Sequence, residues 1–188
     1  MSGARSVVGV VGCAAGGLKD LRTRLIEPLI GDGHTVAVTL TPAAATWLDE
    51  SGDLSRIAEL TGLPVRSTPR LPSDASPHPA PSVIVVAPAT ANTVAKIALG
   101  ISDNQALTQI NEGLAVVPVV VFPRVNAAHA RHPAWEQHLA ALRRGRVRLV
   151  YGPDVWPLHE PRSAPGRELP WTAILQAVTG ALNQPPTG

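Results

Sequence analysis

A chain of 188 residues, 45% of them hydrophobic, is long enough to bury the core of one α/β domain and too short for two of ordinary size. A formal charge of +2 and 3% aromatic content supply neither a strong basic field nor a set of stacking rings, so nucleic-acid and membrane-surface partners are not expected. Cys13 is the only cysteine, which excludes an intrachain disulfide and disfavours a thiolate metal site. Residues 1–5 are too few for a signal sequence, and Gly, Pro or a charge interrupts every apolar run before membrane-spanning length; the expectation is a cytoplasmic protein. The basic cluster Arg143, Arg144, Arg146 and Arg148 reads as a solvated helix end.

In chain order, Val7–Gly12 is a first buried strand, followed by the small-residue run Cys13-Ala14-Ala15-Gly16-Gly17 and a helix over 18–30. Gly9 and Gly12 do not complete a dinucleotide fingerprint, and no acidic residue ends the second strand to hold a ribose. After the turn Gly31-Asp32-Gly33-His34, where His34 is read as solvated, Thr35–Leu40 is the second strand and delivers Thr41 to its carboxyl end. Thr41-Pro42 has the form of a helix cap with proline at the first helical position. Residues 43–60 predict one or two helices, interrupted near Ser51-Gly52-Asp53. Six prolines between 63 and 81 forbid a regular helix and predict a long loop, functional or mobile, that carries His78.

Residues 83–87 are apolar without alternation, as in a strand covered on both faces, and Pro88 is expected to stop the ladder where it lacks a donor. Thr90, Asn92 and Thr93 then gather two hydroxyls and an amide beside the free N–H groups of the next helix, an arrangement suited to a phosphate. That helix is expected to end over 107–113, and a buried strand follows over 114–122, with Pro118 at an irregular start. An amphipathic helix over 133–144, a strand over 146–151, a proline-rich loop over 155–170 containing Trp156 and His159, a helix over 171–182 and a frayed tail over 183–188 complete the chain. The alternation predicts a single-domain, doubly wound, Rossmann-like (flavodoxin-like) α/β fold over 1–188, with its ligand at the carboxyl ends of a parallel sheet.

Two motifs in register, Pro88-Ala89-Thr90-Ala91-Asn92-Thr93 and Gly100-Ile101-Ser102-Asp103-Asn104, resemble the homo-oligomeric flavin-containing cysteine decarboxylases. That family includes phosphopantothenoylcysteine decarboxylases and the peptidyl-cysteine decarboxylases of lantibiotic biosynthesis, and its central motif reads Pro-Ala-Ser-Ala-Asn-Thr. The resemblance implies FMN as cofactor, bound through Gly12, Cys13, Ala14, Thr41, Pro88, Ala89, Thr90, Asn92, Thr93, Ser102 and Asp103. Thr41 and Cys13 keep purely structural readings beside this one, as a cap and as a packed thiol. The family's substrate clamp, Pro-x-Met-Asn-x-x-Met-Trp followed by His-Pro, is matched at Pro123, Asn126, His132 and Pro133, while its Met, Met and Trp positions hold Val125, His129 and Ala130.

The resemblance implies that Asn126 binds a substrate carboxylate, with His129 as a further substrate contact; Arg124, one side chain away, reads either as a substrate contact that pairs with a carboxylate or phosphate or as a surface arginine. Where the family has its catalytic histidine this chain has Asp74, so His78 is the available imidazole, with a solvated loop histidine as the alternative. Tyr151-Gly152-Pro153-Asp154 lacks the cysteine that phosphopantothenoylcysteine decarboxylases carry there, which argues against coenzyme A biosynthesis. The implied activity is FMN-dependent oxidative decarboxylation of a carboxy-terminal peptidyl-cysteine or a related small-molecule thiol acid, by a homotrimer or homododecamer. An FMN-binding protein without decarboxylase activity is the alternative. A flavin prenyltransferase fits less well, because such enzymes replace the Ala-Asn pair kept here as Ala91-Asn92.

Overall fold

The computed structural model describes residues 6–145 and 147–183. Five parallel strands form one sheet in the order β2-β1-β3-β4-β5, with β1 Val7–Gly12, β2 Thr35–Leu40, β3 Val83–Ala89, β4 Val119–Pro123 and β5 Val147–Leu149. This is the doubly wound, Rossmann-like architecture expected of alternating strands and helices. Because successive side chains point to opposite faces, the unbroken valine runs feed two separate cores. On one face Val8, Val10, Val36, Val38, Val85 and Phe122 pack against the helices over 18–31, α2 Pro42–Glu50, α3 Asp53–Thr61 and α8 Trp171–Leu182. On the other, Val11, Ile84, Val86 and Val121 pack against α4 Ala91–Leu99, α5 Gln105–Gly113 and α7 Trp135–Arg144.

Several elements differ from the sequence expectation. The strand does not stop at Pro88 but runs to Ala89, because a register irregularity between Val86 and Ala89 absorbs the missing donor. The carbonyls of Pro88 and Ala89 stay engaged, accepting from the N–H groups of Cys13 (3.1 Å) and Arg124 (2.8 Å). The expected single helix after the central motif is two: Gly100, at φ 71°, ends α4, and the Asn104 side chain caps α5 by accepting from Leu107 N–H at 3.1 Å. The fourth strand begins only at Val119, since the N–H groups of Val116 and Val117 turn back onto the Gly113 carbonyl at 2.9 Å.

The first helix opens with a 3₁₀ turn at Leu18–Asp20 and a π turn at Arg22–Ile26 before α1 Glu27–Gly31, and a short α6 Ala127–Ala130 follows β4. Residues 67–82 carry no helix or strand, and Arg66 makes one parallel bridge to Thr39 at the outer edge of β2. The signal-sequence reading of 1–5, Arg146 of the basic cluster and the tail beyond 183 lie outside the described residues. Among the described residues no helix is long and apolar enough to cross a membrane.

Candidate functional site

The carboxyl ends of β1, β2 and β3 are tied together by the chain itself. Gly12 O accepts from Thr41 N–H at 3.0 Å, while Cys13 N–H reaches β3 at Pro88. A Cβ on Gly12 would come within 2.9 Å of Leu40 and 3.1 Å of Leu18 and Leu21, so only glycine lets the first loop lie this close to its neighbours. Ala14, next to it, packs partly buried against the core.

At the mouth of α4 the polar groups satisfy one another. Thr93 N–H donates to Thr90 Oγ1 at 3.1 Å, the Thr90 and Thr93 hydroxyls lie 2.9 Å apart, and Thr93 Oγ1 donates to Cys13 Sγ at 3.3 Å. Two hydroxyl protons thus run in one direction, from Thr90 to Thr93 and from Thr93 to the sulfur. Burial pushes the Cys13 thiol up, against the pull of the Thr93 hydroxyl and the Thr90 backbone, so the sulfur is a sealed neutral group. The Cys13 backbone is engaged as well, its N–H on the Pro88 carbonyl and its own carbonyl accepting from Ala15 N–H at 2.8 Å, so the residue holds the shape of the loop. What remains open at this mouth is the Ala91 and Asn92 N–H pair, which has no intrahelical acceptor, and the exposed Asn92 side chain. Positive helix-end dipole and free donors make this a place for a phosphate.

Thr41 Oγ1 caps α2 through Ala44 N–H at 3.4 Å. Ser102 and Asp103 lie in the α4–α5 turn: Ser102 Oγ accepts from Asn111 at 2.9 Å, and Asp103 pairs with Lys96 and accepts from Asn104 at 3.1 Å. Both side chains are engaged in holding that turn.

Beyond β4 the chain builds a second polar corner. Asn126 caps α6 by accepting from His129 N–H at 3.0 Å, and its amide nitrogen has no partner among the described residues. It lines a cavity of about 170 Å³ together with Arg124, Trp156, His159, Glu160 and Arg167. His129 is exposed and stands outside that lining. Trp156 is the floor: it is 2% exposed, donates to Val125 O at 2.9 Å, and meets Phe122 edge-on at 5.4 Å. The 155–170 segment is pinned across this corner, by Ala127 N–H on His159 O at 2.9 Å and by the two-pronged Arg131–Glu160 pair.

His78 is not brought to this cavity. Its Nε2–H donates to Pro64 O at 2.7 Å, and its Nδ1 is buried without a partner. It borders a different cavity of about 420 Å³, beside Arg66, Ile84, Gln105 and Gln109, which shares no lining residue with the one at Asn126. The reason is the course of the loop, which joins the outer edge of β2 at Arg66 and runs on the α5 side of the sheet toward β3. Burial pulls the His78 imidazole down, with the Arg66 charge acting the same way against the raising effect of the Pro64 carbonyl. Asp74 closes a turn by accepting from Leu71 N–H at 3.0 Å.

The sequence reading did not find Arg167, which stands in an irregular loop with no motif around it, nor the fit of Gly16 to Arg124. A Cβ on Gly16 would come within 2.9 Å of the Arg124 guanidinium. The glycine pair after Cys13 was the available signal.

Known proteins similar to this chain share its fold and its family. The coenzyme A biosynthesis bifunctional protein CoaBC of Bacillus subtilis (strain 168) is 29% identical over 133 residues, 69% of this chain and 32% of that protein. The chain spans less than a third of the length of the curated relatives it matches. Among solved structures, the FMN-dependent cysteine decarboxylase TvaF from thioviridamide biosynthesis is similar at 21% identity, covering 96% of this chain and 100% of that one with a TM-score of 0.69. SpaF, also an FMN-dependent cysteine decarboxylase, is similar at 24% identity, covering 93% and 98% with a TM-score of 0.62. These two likenesses describe the fold. The family model described as Flavoprotein matches residues 5–183, and the chain belongs to the Flavoprotein family.

Proposed function

We propose that the chain binds FMN at the mouth of α4 and decarboxylates a thiol-bearing acid, such as a carboxy-terminal peptidyl-cysteine, held at the neighbouring Asn126 corner. The observation that carries this reading is the pairing of an open phosphate seat with an uncharged carboxylate donor. The free N–H groups of Ala91 and Asn92 and the close approach of the Gly12–Cys13 loop fit a phosphate tail, so the residues present suit the cofactor. Bound there, FMN would supply oxidation at the carbon beside sulfur, which makes carbon dioxide a good leaving group.

The chain's own residues bind and orient. Asn126, its oxygen fixed by His129 N–H, offers its amide hydrogens to the substrate carboxylate without adding charge. Trp156 closes the floor and excludes water. The proton-handling role proposed for His78 requires a neighbouring subunit to bring it to the site, and a homotrimer or dodecamer is the assembly proposed. Light scattering on the purified protein measures that directly.

Protein purified and incubated with FMN should turn yellow, quench flavin fluorescence, and release carbon dioxide from cysteine-terminated peptides or thiol acids, followed by mass. A colourless protein that stays so sinks the reading. A second reading, FMN binding without turnover, is favoured by Asp74 holding a turn and His78 occupying a separate cavity; bound flavin with no mass loss from any thiol acid selects it.

A further inference from the structure

Arg124 and Arg167 approach Trp156 from the end of β4 and from the loop before α8, with guanidinium carbons 5.4 and 3.6 Å from the ring centre. They form the shared wall between the Asn126 cavity and a second cavity of about 280 Å³ lined by Gly16, Gly17, Lys19 and Asp20. Neither guanidinium has a carboxylate partner among the described residues. Glu160, which lines the first cavity, is held by Arg131, and Glu168, which lines the second, is held by Arg24 at 2.6 Å. Among the described residues, Arg124 Nε is buried with no acceptor, and Arg167 donates to the Pro157 carbonyl alone, at 2.8 Å.

Two like charges held side by side in a partly desolvated corner disfavour each other. Burial pulls Arg167 below the usual arginine range, and the Arg124 charge adds to it. Such an arrangement is relieved when an oxyanion arrives, and planar guanidinium forks on an aromatic floor suit a carboxylate or phosphate in particular. Gly16 belongs to the same device: a side chain there would displace the Arg124 guanidinium.

We propose that Arg124 and Arg167 form an oxyanion subsite for a second acidic group of the substrate, which is therefore a thiol acid carrying an additional carboxylate or phosphate. The proposal rests on the reading of Asn126 as the holder of the first carboxylate. Asn126 and the arginines line one small cavity, so both groups belong to one compact molecule or to adjacent positions of one peptide end. The cofactor's phosphate is a different anion, because none of Cys13, Thr41, Thr90 and Asn92 borders either cavity.

The test uses FMN-loaded protein, so that the cofactor's own phosphate seat is filled. Mercaptosuccinate, 3-mercaptopropionate and inorganic phosphate are titrated by calorimetry and by the change in flavin absorbance. The dicarboxylate is expected to bind at least tenfold more tightly than the monocarboxylate, and inorganic phosphate to compete with it. Arg167→Gln should abolish that preference and the competition while leaving FMN affinity within twofold. Arg167→Lys, which keeps the charge and loses the fork, should retain part of both and serves if the glutamine variant folds poorly.

Equal affinity for the two acids, or an unchanged preference in Arg167→Gln, would overturn the subsite and leave the arginines as a clamp on Trp156. A loss of FMN affinity in Arg167→Gln would overturn it in favour of the cofactor's phosphate. If the protein takes up no FMN, the proposed function fails by itself. Calorimetry of inorganic phosphate on the cofactor-free protein, wild type against Arg167→Gln, still decides the subsite.

Discussion

The turn between β3 and α4 and the corner around Trp156 both lie at the carboxyl edge of the sheet, yet their polar groups are in opposite states. In the turn, Thr90, Thr93 and Cys13 satisfy one another, so these side chains hold a shape and the Ala91 and Asn92 N–H groups and the Asn92 side chain are left open. At the corner, Arg124 and Arg167 face a cavity with no carboxylate on either. A closed hydrogen-bond network rigidifies a site, whereas half-buried guanidinium groups with no carboxylate partner suit an arriving oxyanion. The first region is a pre-formed seat and the second a selective one.

The largest test of this contrast removes the floor. Trp156→Ala should cost about 3–5 kcal/mol in urea unfolding, as for other buried aromatic truncations, and should erase oxyanion binding by leaving both guanidinium groups unsupported. If the corner is independent of the seat, FMN affinity measured at a temperature where the variant is folded will fall far less than oxyanion affinity. Loss of both together would break the comparison.

Next comes the seat itself. Gly12→Ala should destabilise by about 1–3 kcal/mol, the usual range for overpacking, because its methyl group would press on Leu40, Leu18 and Leu21. Thr90→Ala removes the α4 cap and should cost about 1 kcal/mol in thermal unfolding. It also frees Thr93 N–H and leaves the Thr93 hydroxyl with Cys13 as its only partner among the described residues, so FMN binding should weaken tenfold or more while mercaptosuccinate binding to flavin-saturated protein stays within twofold.

The smallest effect concerns the Arg131–Glu160 pair that pins the loop over the corner. Hydrogen bonding from the Arg131 guanidinium holds the exposed Glu160 carboxyl below its usual range, outweighing slight desolvation. A carboxyl depressed in the folded state contributes above its unfolded pKa and loses the contribution as pH falls through the folded value. The stability gap between wild type and Arg131→Gln should therefore be small at pH 7 and close below about pH 4. A gap that widens on acidification would contradict the assignment.

Much of the frame was legible beforehand because its causes are local. Val7–Gly12 and Thr35–Leu40 coincide with their apolar runs, Thr41-Pro42 caps α2, and the break at Ser51-Gly52-Asp53 separates α2 from α3. Asn126 stands out in the sequence through its motif spacing, whereas its cap on α6 is visible only in the structure. Pro88 misled because a missing donor argues against a strand only when the register is regular, and here it is not. The cavity that His78 borders within one chain was not legible, because proximity in sequence to the central motif says nothing about which face of the sheet a long loop crosses.

Residue order alone determined the strand and helix alternation, the threonine caps on α2 and α4 and the family likeness, since periodicity, capping and motif spacing act over a few residues. Only the tertiary structure decided that Gly16, Arg124, Trp156 and Arg167 share one corner while His78 lies in another cavity. Such neighbours come from separate crossovers of the sheet, and the packing that brings their side chains together leaves no local trace in the chain.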